Sequence, residues 1–181
     1  YRITGTWKDG QLRVTGSEKV KLYFDSVSIT NSNGAALSCE NEKRTILSLA
    51  ANTENSLSDG ANSNATTDGE TAALFTEDKL TINGSGALTV TGNAANGIVC
   101  RDDLKIIDGT ISVTAANNGM KGKDSIGIYG GTITIDAQND GLKTTKADDP
   151  EQGWIAISGG TLNITAKGDG IQAETDCYID G

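Results

Sequence analysis

The chain has 181 residues, of which 24 are acidic and 15 basic, and its formal net charge is −9. A nucleic-acid ligand is not expected, because it would require a basic surface, and no apolar run is long enough to span a membrane. The sequence contains no histidine, which excludes Ser-His and Cys-His nucleophiles and His-ligated zinc. One proline, 23 glycines and 4% aromatic residues are typical of short strands joined by tight turns.

Both ends of the chain have the pattern of strands. It begins within a strand-like segment, Tyr1–Trp7, and stops at Gly181 directly after another. We expect a single domain over residues 1–181 that is a fragment of a longer protein. Residues 12–37 predict a degenerate coil of the repeat described next, and the Asn-, Ser- and Asp-rich residues 52–71 predict a long surface loop.

An internal repeat dominates the second half of the chain. Each repeat begins with Asn or Asp, then Gly, then an apolar residue: Asn96-Gly97-Ile98, Asn118-Gly119-Met120, Asp140-Gly141-Leu142 and Asp169-Gly170-Ile171. The successive glycines are 22, 22 and 29 residues apart. The last spacing becomes 22 if the seven residues 147–153 form an inserted turn.

Each repeat also carries a second and a third strand-like segment, such as Leu104–Ile106 and Thr110–Val113. Alternation places aliphatic residues inward, and stacked repeats bury a column that no single repeat could bury. The sequence predicts an all-β fold, a right-handed single-stranded parallel β-helix with about 22 residues and three strands per coil. The right-handed winding is expected because crossover connections between parallel strands are almost always right-handed. A β-sandwich is the competing fold, and the constant spacing argues against it, since sandwich strands need not repeat in sequence.

The three cysteines are predicted to be buried small residues and not nucleophiles or ligands. Cys39 and Cys100 point inward on coils that are separated by another coil, where Thr76 takes the equivalent place. Two rungs of about 4.8 Å separate them, which is too far for a disulfide. Cys177 replaces the aliphatic residues of the second strand.

The register of the repeat also aligns basic residues on one outward surface. We call these residues the basic stripe; they are Arg101, Lys121, Lys123, Lys143 and Lys146. Gln172 continues the row that contains Lys121 and Lys143. One interpretation is a ladder of charges neutralised by the neighbouring Asp102, Asp103 and Asp124. The other is a track that pairs with the carboxylates of uronate sugars.

The acidic residue before the leading Gly is a candidate calcium ligand. Asp140 and Asp169 are predicted on adjacent rungs, roughly 5 Å apart, and Asn118 and Asn139 would complete the oxygen ligands of a shared Ca²⁺. The alternative is that these residues are ordinary turn formers before Gly. The acids of the inserted turn, Asp148, Asp149 and Glu151, are a weaker second candidate.

Trp154 follows the inserted turn and opens an outward-facing strand. An exposed indole suits stacking on a sugar ring, and the alternative is that it packs against the base of the turn.

Several specific segments resemble a family of bacterial β-helical carbohydrate-binding domains. They are Ala72–Gly86, Asp102–Ile106, Lys121–Asp124 and Gly168–Asp176, and the likeness covers essentially the whole chain. The resemblance implies a fold similar to family 9 pectate lyases, bound calcium, affinity for cellulose and acidic sugars, and a secreted or cell-surface location. The family often has Asp-Asp-Gly where this chain has Asn117-Asn118-Gly119, and the related lyases have Asp where it has Lys121 and Lys143. A lyase-type calcium cluster is therefore not expected to be intact.

Three functions are open at this point. The first is a non-catalytic, calcium-assisted module that binds polygalacturonate or pectin, and also cellulose, outside the cell or on a bacterial cell surface. The second is a calcium-dependent pectate lyase with Lys121 or Lys143 as the base. The third is an adhesin or filament subunit that associates end to end, because uncovered coil ends are unpaired sheet edges. An array of outward threonines on the third strand makes ice binding a distant alternative, although Asp136 and Asn163 interrupt it.

Overall fold

The structure is a computed structural model that describes residues 1–62 and 71–180. Within these residues the chain is all β and contains no helix. The strands, in chain order, are β1 (Arg2–Trp7), β2 (Leu12–Gly16), β3 (Val20–Asn31), β4 (Leu37–Asn41), β5 (Thr45–Leu49), β6 (Glu54–Asp59), β7 (Ala72–Thr76), β8 (Leu80–Asn83), β9 (Ala87–Gly92), β10 (Asn96–Cys100), β11 (Asp103–Ile106), β12 (Thr110–Ala115), β13 (Met120–Gly122), β14 (Ser125–Ile128), β15 (Thr132–Ala137), β16 (Leu142–Thr144), β17 (Trp154–Ile157), β18 (Thr161–Ala166), β19 (Ile171–Gln172) and β20 (Cys177–Ile179).

These strands wind into three parallel faces. Face 1 is the seven-stranded sheet β2-β4-β7-β10-β13-β16-β19. Face 2 contains the first half of β3 with β5, β8, β11, β14, β17 and β20, and face 3 contains its second half with β6, β9, β12, β15 and β18. β3 turns from face 2 to face 3 near Ser26, whose φ is 61°. The predicted parallel β-helix is confirmed, and its right-handed winding stays a prediction from the crossover preference.

Register between coils follows the repeat. Ile98 pairs with Met120 and Met120 with Leu142, each 22 residues apart. All three side chains are fully buried, and they belong to one aliphatic core that runs along the inside of the stack. Each coil supplies only a few inward side chains, so the core exists only because the coils cover one another.

Close packing at the corner before face 1 requires the leading Gly of three repeats, at Gly97, Gly119 and Gly141. A Cβ on Gly119 would lie 2.4 Å from Cγ2 of Ile135 and 2.7 Å from the carbonyl oxygen of Gly141 on the next coil. A Cβ on Gly170, in contrast, would meet no atom within 4 Å. The glycine therefore lets the third-face side chain and the next coil approach the corner, which no larger residue permits.

The predicted surface loop at 52–71 is wrong in its first part, because β6 occupies Glu54–Asp59. Leu57 is the one aliphatic side chain that this strand buries, and Asn55 and Asp59 point inward beside it. Asn55 Oδ1 accepts a hydrogen bond of 2.9 Å from the backbone N–H of Val27. The strand was not predicted because two of its inward residues are polar and hydrogen-bonded to the backbone, so its sequence lacks the alternation of apolar residues that indicates a strand. Residues 63–70 of the predicted loop lie outside the described residues.

The structure confirms the predicted burial of Cys39 and Cys100 but not that of Cys177. Cys39 and Cys100 are buried and both pair with Thr76, so they lie two rungs apart as predicted and are free thiols. Burial raises the pKa of Cys39 to about 12 and that of Cys100 to about 11, which keeps both thiols protonated and unreactive. The prediction that Cys177 is buried is wrong: it is exposed, because its strand β20 belongs to the last coil of this chain.

The predicted inserted turn, 147–153, lies in the connection between β16 and β17. This connection runs from residue 145 to 153, whereas the connection between β13 and β14 in the preceding coil has only residues 123 and 124. Its base is fixed by two short hydrogen bonds: the Thr144 hydroxyl donates to the Gly153 carbonyl at 2.6 Å, and the Gly153 N–H donates to the Asp124 carbonyl at 2.6 Å. The turn therefore rises at the edge between faces 1 and 2.

Candidate functional site

A row of outward side chains on face 1 has the predicted register. Val99 pairs with Lys121, Lys121 with Lys143, and Lys143 with Gln172. The side chains of Lys121, Lys143 and Gln172 are half-buried along the surface, whereas Val99 is buried. Lys121 and Lys143, which we call the lysine ladder, thus stand on adjacent rungs about 4.8 Å apart.

Most of the basic stripe has acidic neighbours. Arg101 lies 3.4 Å from Glu77, Lys143 lies 2.9 Å from Asp140, and Lys146 lies 3.0 Å from Asp148 of the inserted turn. The Arg101–Glu77 and Lys146–Asp148 pairs are partly exposed and weak in water, roughly 0.2–1 kcal/mol each, so a polyanion can exchange with these two carboxylates, whereas the Asp140 carboxylate is buried. The stripe therefore combines both interpretations: its charges are partly neutralised within the protein, and they remain accessible on one surface.

The residues before the leading Gly form what we call the corner ladder: Asn96, Asn118 and Asp140, stacked and buried at the corner before face 1. Asn96 Oδ1 accepts hydrogen bonds from the Asn118 N–H at 3.2 Å and its amide at 3.0 Å. Asn118 Oδ1 accepts from the Asp140 N–H at 3.2 Å and from the Asn139 amide at 3.0 Å. Each side chain thus satisfies a backbone N–H of the next coil, and the ladder clamps successive coils together.

The corner ladder ends on a carboxylate that is already occupied. Asp140 Oδ1 accepts from the Asp169 N–H at 3.0 Å, and its Oδ2 accepts from the Lys143 ammonium at 2.9 Å. Burial by itself would raise the pKa of Asp140, but the Lys143 ammonium and the Asp169 N–H outweigh it and hold this pKa below its usual range. The carboxylate is therefore ionised and paired.

This arrangement does not fit the predicted calcium site. The oxygens of Asn118 and Asp140 that were expected to bind Ca²⁺ accept hydrogen bonds from the protein, and a lysine ammonium occupies the place of a cation. The Asn139 amide donates to Asn118, and Asp169 is exposed. In the described part of the chain, no three Cys, Asp or Glu side chains are grouped to hold a metal ion.

A second set of acidic residues lies at the opposite edge of face 1, between faces 1 and 2. Asp102 and Asp124, which we call the acidic stack, occupy adjacent coils, and the Asp124 N–H donates to the Asp102 carbonyl at 3.3 Å. Asp124 Oδ1 is buried and has no hydrogen-bond partner among the described residues. Burial, with a smaller contribution from the Asp102 charge, raises the pKa of Asp124. Lys79 lies 3.5 Å from Asp102 and partly offsets the charge of the stack.

Trp154 lies at the start of β17, paired with Ser125, and its half-buried side chain faces outward on face 2. It lines an open cleft of about 510 Å³ together with Pro150, Glu151, Ala156, Asp176 and Tyr178. Trp154 was predicted as a sugar-stacking residue, but Tyr178 was not. The signal for it was present, because Tyr178 occupies the outward position of the second strand that Ala156 occupies one coil earlier. Trp154 and the basic stripe therefore belong to two different surfaces, separated by the inserted turn.

Comparison with known proteins agrees with the fold. A family model described as "carbohydrate-binding domain-containing protein" matches residues 1–181. A relative with the same description from Acetivibrio thermocellus is 39% identical over 120 residues, which are 64% of this chain and 42% of the relative. The chain thus matches less than half of that relative's length.

A solved structure is also similar over nearly the whole chain. It is described as a polysaccharide lyase-like protein from C. thermocellum, and the two are 31% identical with a TM-score of 0.87 over 99% of this chain and 83% of that one. In the described residues, no helix is long and apolar enough to span a membrane. From the match over its full length, this chain belongs to the family of carbohydrate-binding domain-containing proteins.

Proposed function

We propose that this domain binds acidic polysaccharides along face 1 and does not cleave them. The observation that carries the proposal is the lysine ladder: two half-buried lysine side chains on adjacent rungs of a regular surface. A polyuronate presents carboxylates at regular intervals, and charge-assisted hydrogen bonds from lysine suit them. Arg101, Lys123 and Lys146 extend the positive surface toward the inserted turn, and Gln172 extends the row with a neutral donor.

The geometry at Lys143 argues against a lyase. A general base needs a free lone pair within reach of the proton that it removes. The Lys143 nitrogen instead donates a hydrogen bond to the Asp140 carboxylate at 2.9 Å, so it is already engaged within the protein. A lysine side chain in this position can also donate to a sugar carboxylate, which favours binding over proton removal. The description of the similar structure as polysaccharide lyase-like makes a direct test of cleavage necessary.

Three further parts of the proposal come from the family resemblance. Cellulose is a second ligand, calcium assists binding, and the protein acts outside the cell or on a bacterial cell surface. Calcium is not assigned to residues of this chain, because the predicted ligands are already hydrogen-bonded within the protein.

Calorimetric titration of the domain with polygalacturonate, with and without calcium, tests binding. The same samples are assayed by ultraviolet absorbance for unsaturated product. We expect saturable binding without product, and affinity that falls as salt is added, because exposed charges are screened. The Lys121→Gln variant should bind roughly two- to tenfold more weakly.

Lys21→Gln is the matched control, because it removes the same charge from an exposed outward position on face 2. Equal weakening by both variants would mean that only net charge matters and that face 1 is not the site. Product formation would make the protein a lyase. Absence of binding, with sedimentation that depends on protein concentration, would favour the structural role through end-to-end self-association.

A further inference from the structure

The cleft beside Trp154 has a composition different from that of face 1. Its lining contains two aromatic side chains, two carboxylates and two small or rigid residues: Trp154, Tyr178, Glu151, Asp176, Ala156 and Pro150. The positive charges of the basic stripe lie outside this lining. The cleft therefore offers aromatic surface and hydrogen-bond acceptors, but no cation to attract an acidic sugar.

The strand register places the floor of the cleft between aromatic rings. Gly127, Ala156 and Tyr178 are successive outward residues on face 2. A Cβ on Gly127 would lie 2.8 Å from Cε2 of Tyr129, so the Tyr129 ring lies over this glycine. The Tyr129 and Tyr178 rings thus flank Ala156 along the helix axis, about two rungs, or roughly 10 Å, apart.

Both tyrosine rings are open to solvent. Tyr129 is 45% exposed and Tyr178 is 59% exposed, while Trp154 is half-buried against the inserted turn. Exposed aromatic rings beside small residues leave a flat apolar strip that water solvates poorly. Trp and Tyr combine such an apolar surface with a polar group that remains hydrated, and they are common in binding sites for this reason.

The two carboxylates determine which ligand suits the cleft. Asp176 raises the pKa of Tyr178 by its negative charge and by accepting a hydrogen bond from the phenol, so the phenol stays neutral. Glu151, on the inserted turn, also lines the cleft. Hydroxyl groups can donate to such carboxylates, whereas a uronate carboxylate would be repelled by them.

We propose that this cleft is a second glycan-binding site, for an uncharged polysaccharide chain whose rings stack on Tyr178, Trp154 and Tyr129. The proposal rests on the proposed function in that the domain binds polysaccharides, and it assigns acidic and neutral chains to different faces. The inserted turn separates the two sites, since Lys146 and Asp148 pair on it while Pro150 and Glu151 line the cleft.

Fluorescence titration with cellohexaose, an uncharged sugar oligomer, tests the second site. The chain contains two tryptophans, so the Trp7→Phe variant leaves Trp154 as the single reporter. We expect a saturable change in Trp154 emission, and about three- to tenfold weaker binding in Tyr178→Ala, because one stacking surface is lost. Tyr23→Ala is the control, since Tyr23 is also an exposed tyrosine on face 2, at the other end of the stack.

Polygalacturonate titrations of the same variants separate this proposal from that for face 1. If both are correct, Tyr178→Ala loses affinity for cellohexaose only, and Lys121→Gln loses affinity for polygalacturonate only. Thermal unfolding confirms that each variant is folded. An unchanged Trp154 emission, or equal weakening by Tyr23→Ala, would overturn the second site while leaving face 1 intact. Binding of a glucosamine polymer without binding of cellohexaose would also overturn it, by showing that charge attraction governs the cleft.

Discussion

The two edges of face 1 carry similar residues, but these residues differ in their hydrogen bonding. At one edge, the corner ladder of Asn96, Asn118 and Asp140 is buried, and its oxygens accept hydrogen bonds from the next coil. At the other edge, the acidic stack of Asp102 and Asp124 leaves the buried Asp124 Oδ1 without a partner among the described residues. Stacked Asn and Asp residues are therefore not one kind of feature. Residues that accept hydrogen bonds from backbone N–H groups stabilise the fold. Buried residues that lack such a partner carry an electrostatic cost.

The largest effect is expected where the corner ladder is interrupted. Asn118→Ala removes the acceptor of both the Asp140 N–H and the Asn139 amide. The buried Asp140 N–H would lose its partner and the Asn139 amide would keep only a long bond to Asp140 Oδ2, so the free energy of unfolding should fall by about 2–4 kcal/mol. Urea unfolding measures it. A loss smaller than about 1 kcal/mol would show that the ladder does not clamp the coils.

Close packing at the same corner gives the next effect. Gly119→Ala should lower the free energy of unfolding by about 1–3 kcal/mol, because the new methyl group would overlap Ile135 and the backbone of Gly141. Gly170→Ala is a matched control at the equivalent position one repeat beyond Gly141, where the methyl group meets open space. Similar losses in both variants would contradict the packing explanation for the repeated glycine.

The charge at the end of the corner ladder predicts a dependence on pH. The lowered pKa of Asp140 means that its ionised form stabilises the folded state above the ordinary pKa of about 3.9, and that this contribution is lost as the pH falls below it. Asp140→Asn should therefore destabilise the protein by about 1–2 kcal/mol at pH 7, where the ion pair with Lys143 is lost.

Below the lowered pKa of Asp140, the wild-type and Asp140→Asn proteins should approach the same stability. Urea unfolding at several pH values between 7 and 2.5 tests this convergence. A difference that stays constant with pH would mean that the carboxylate charge contributes nothing.

The acidic stack should give the smallest effect, of opposite sign. Asp124 has a raised pKa, so its ionised form is disfavoured in the folded state at neutral pH. Asp124→Asn should raise the free energy of unfolding at pH 7, by less than about 1 kcal/mol, because it removes the cost of burying this charge and the repulsion from Asp102. The gain should shrink as the pH falls through the raised pKa. Destabilisation at pH 7 would show that the stack is satisfied in some other way.

The contrast between these edges also explains which parts of the site the sequence could predict. The rows of face 1 were predicted correctly, because parallel pairing in register follows directly from a repeat of 22 residues. Lys121 beside Lys143 is an example. The corner residues were harder to interpret, since Asn and Asp before Gly suit a turn, a hydrogen-bonded ladder or a metal site equally well.

The cleft on face 2 shows a different limit. Trp154 was visible as an outward residue, but its partner Tyr178 lies in the next coil, and the Tyr129 ring reaches over Gly127 from the end of its own strand. Sequence alignment of the coils places these residues in columns. It does not show which way a side chain at the end of a strand turns, because that depends on the free space left by its neighbours.

By itself, the sequence determined the coil period, the register of the faces and the aliphatic core, because each depends on spacing that recurs along the chain. The tertiary structure decided that β6 is a strand, that Asp140 pairs with Lys143, and that the inserted turn separates a basic face from an aromatic cleft. These features depend on contacts between coils at positions where the repeat is broken or where several conformations suit the same residue. The free energy of those contacts is set by the neighbouring coil, which a single repeat does not specify.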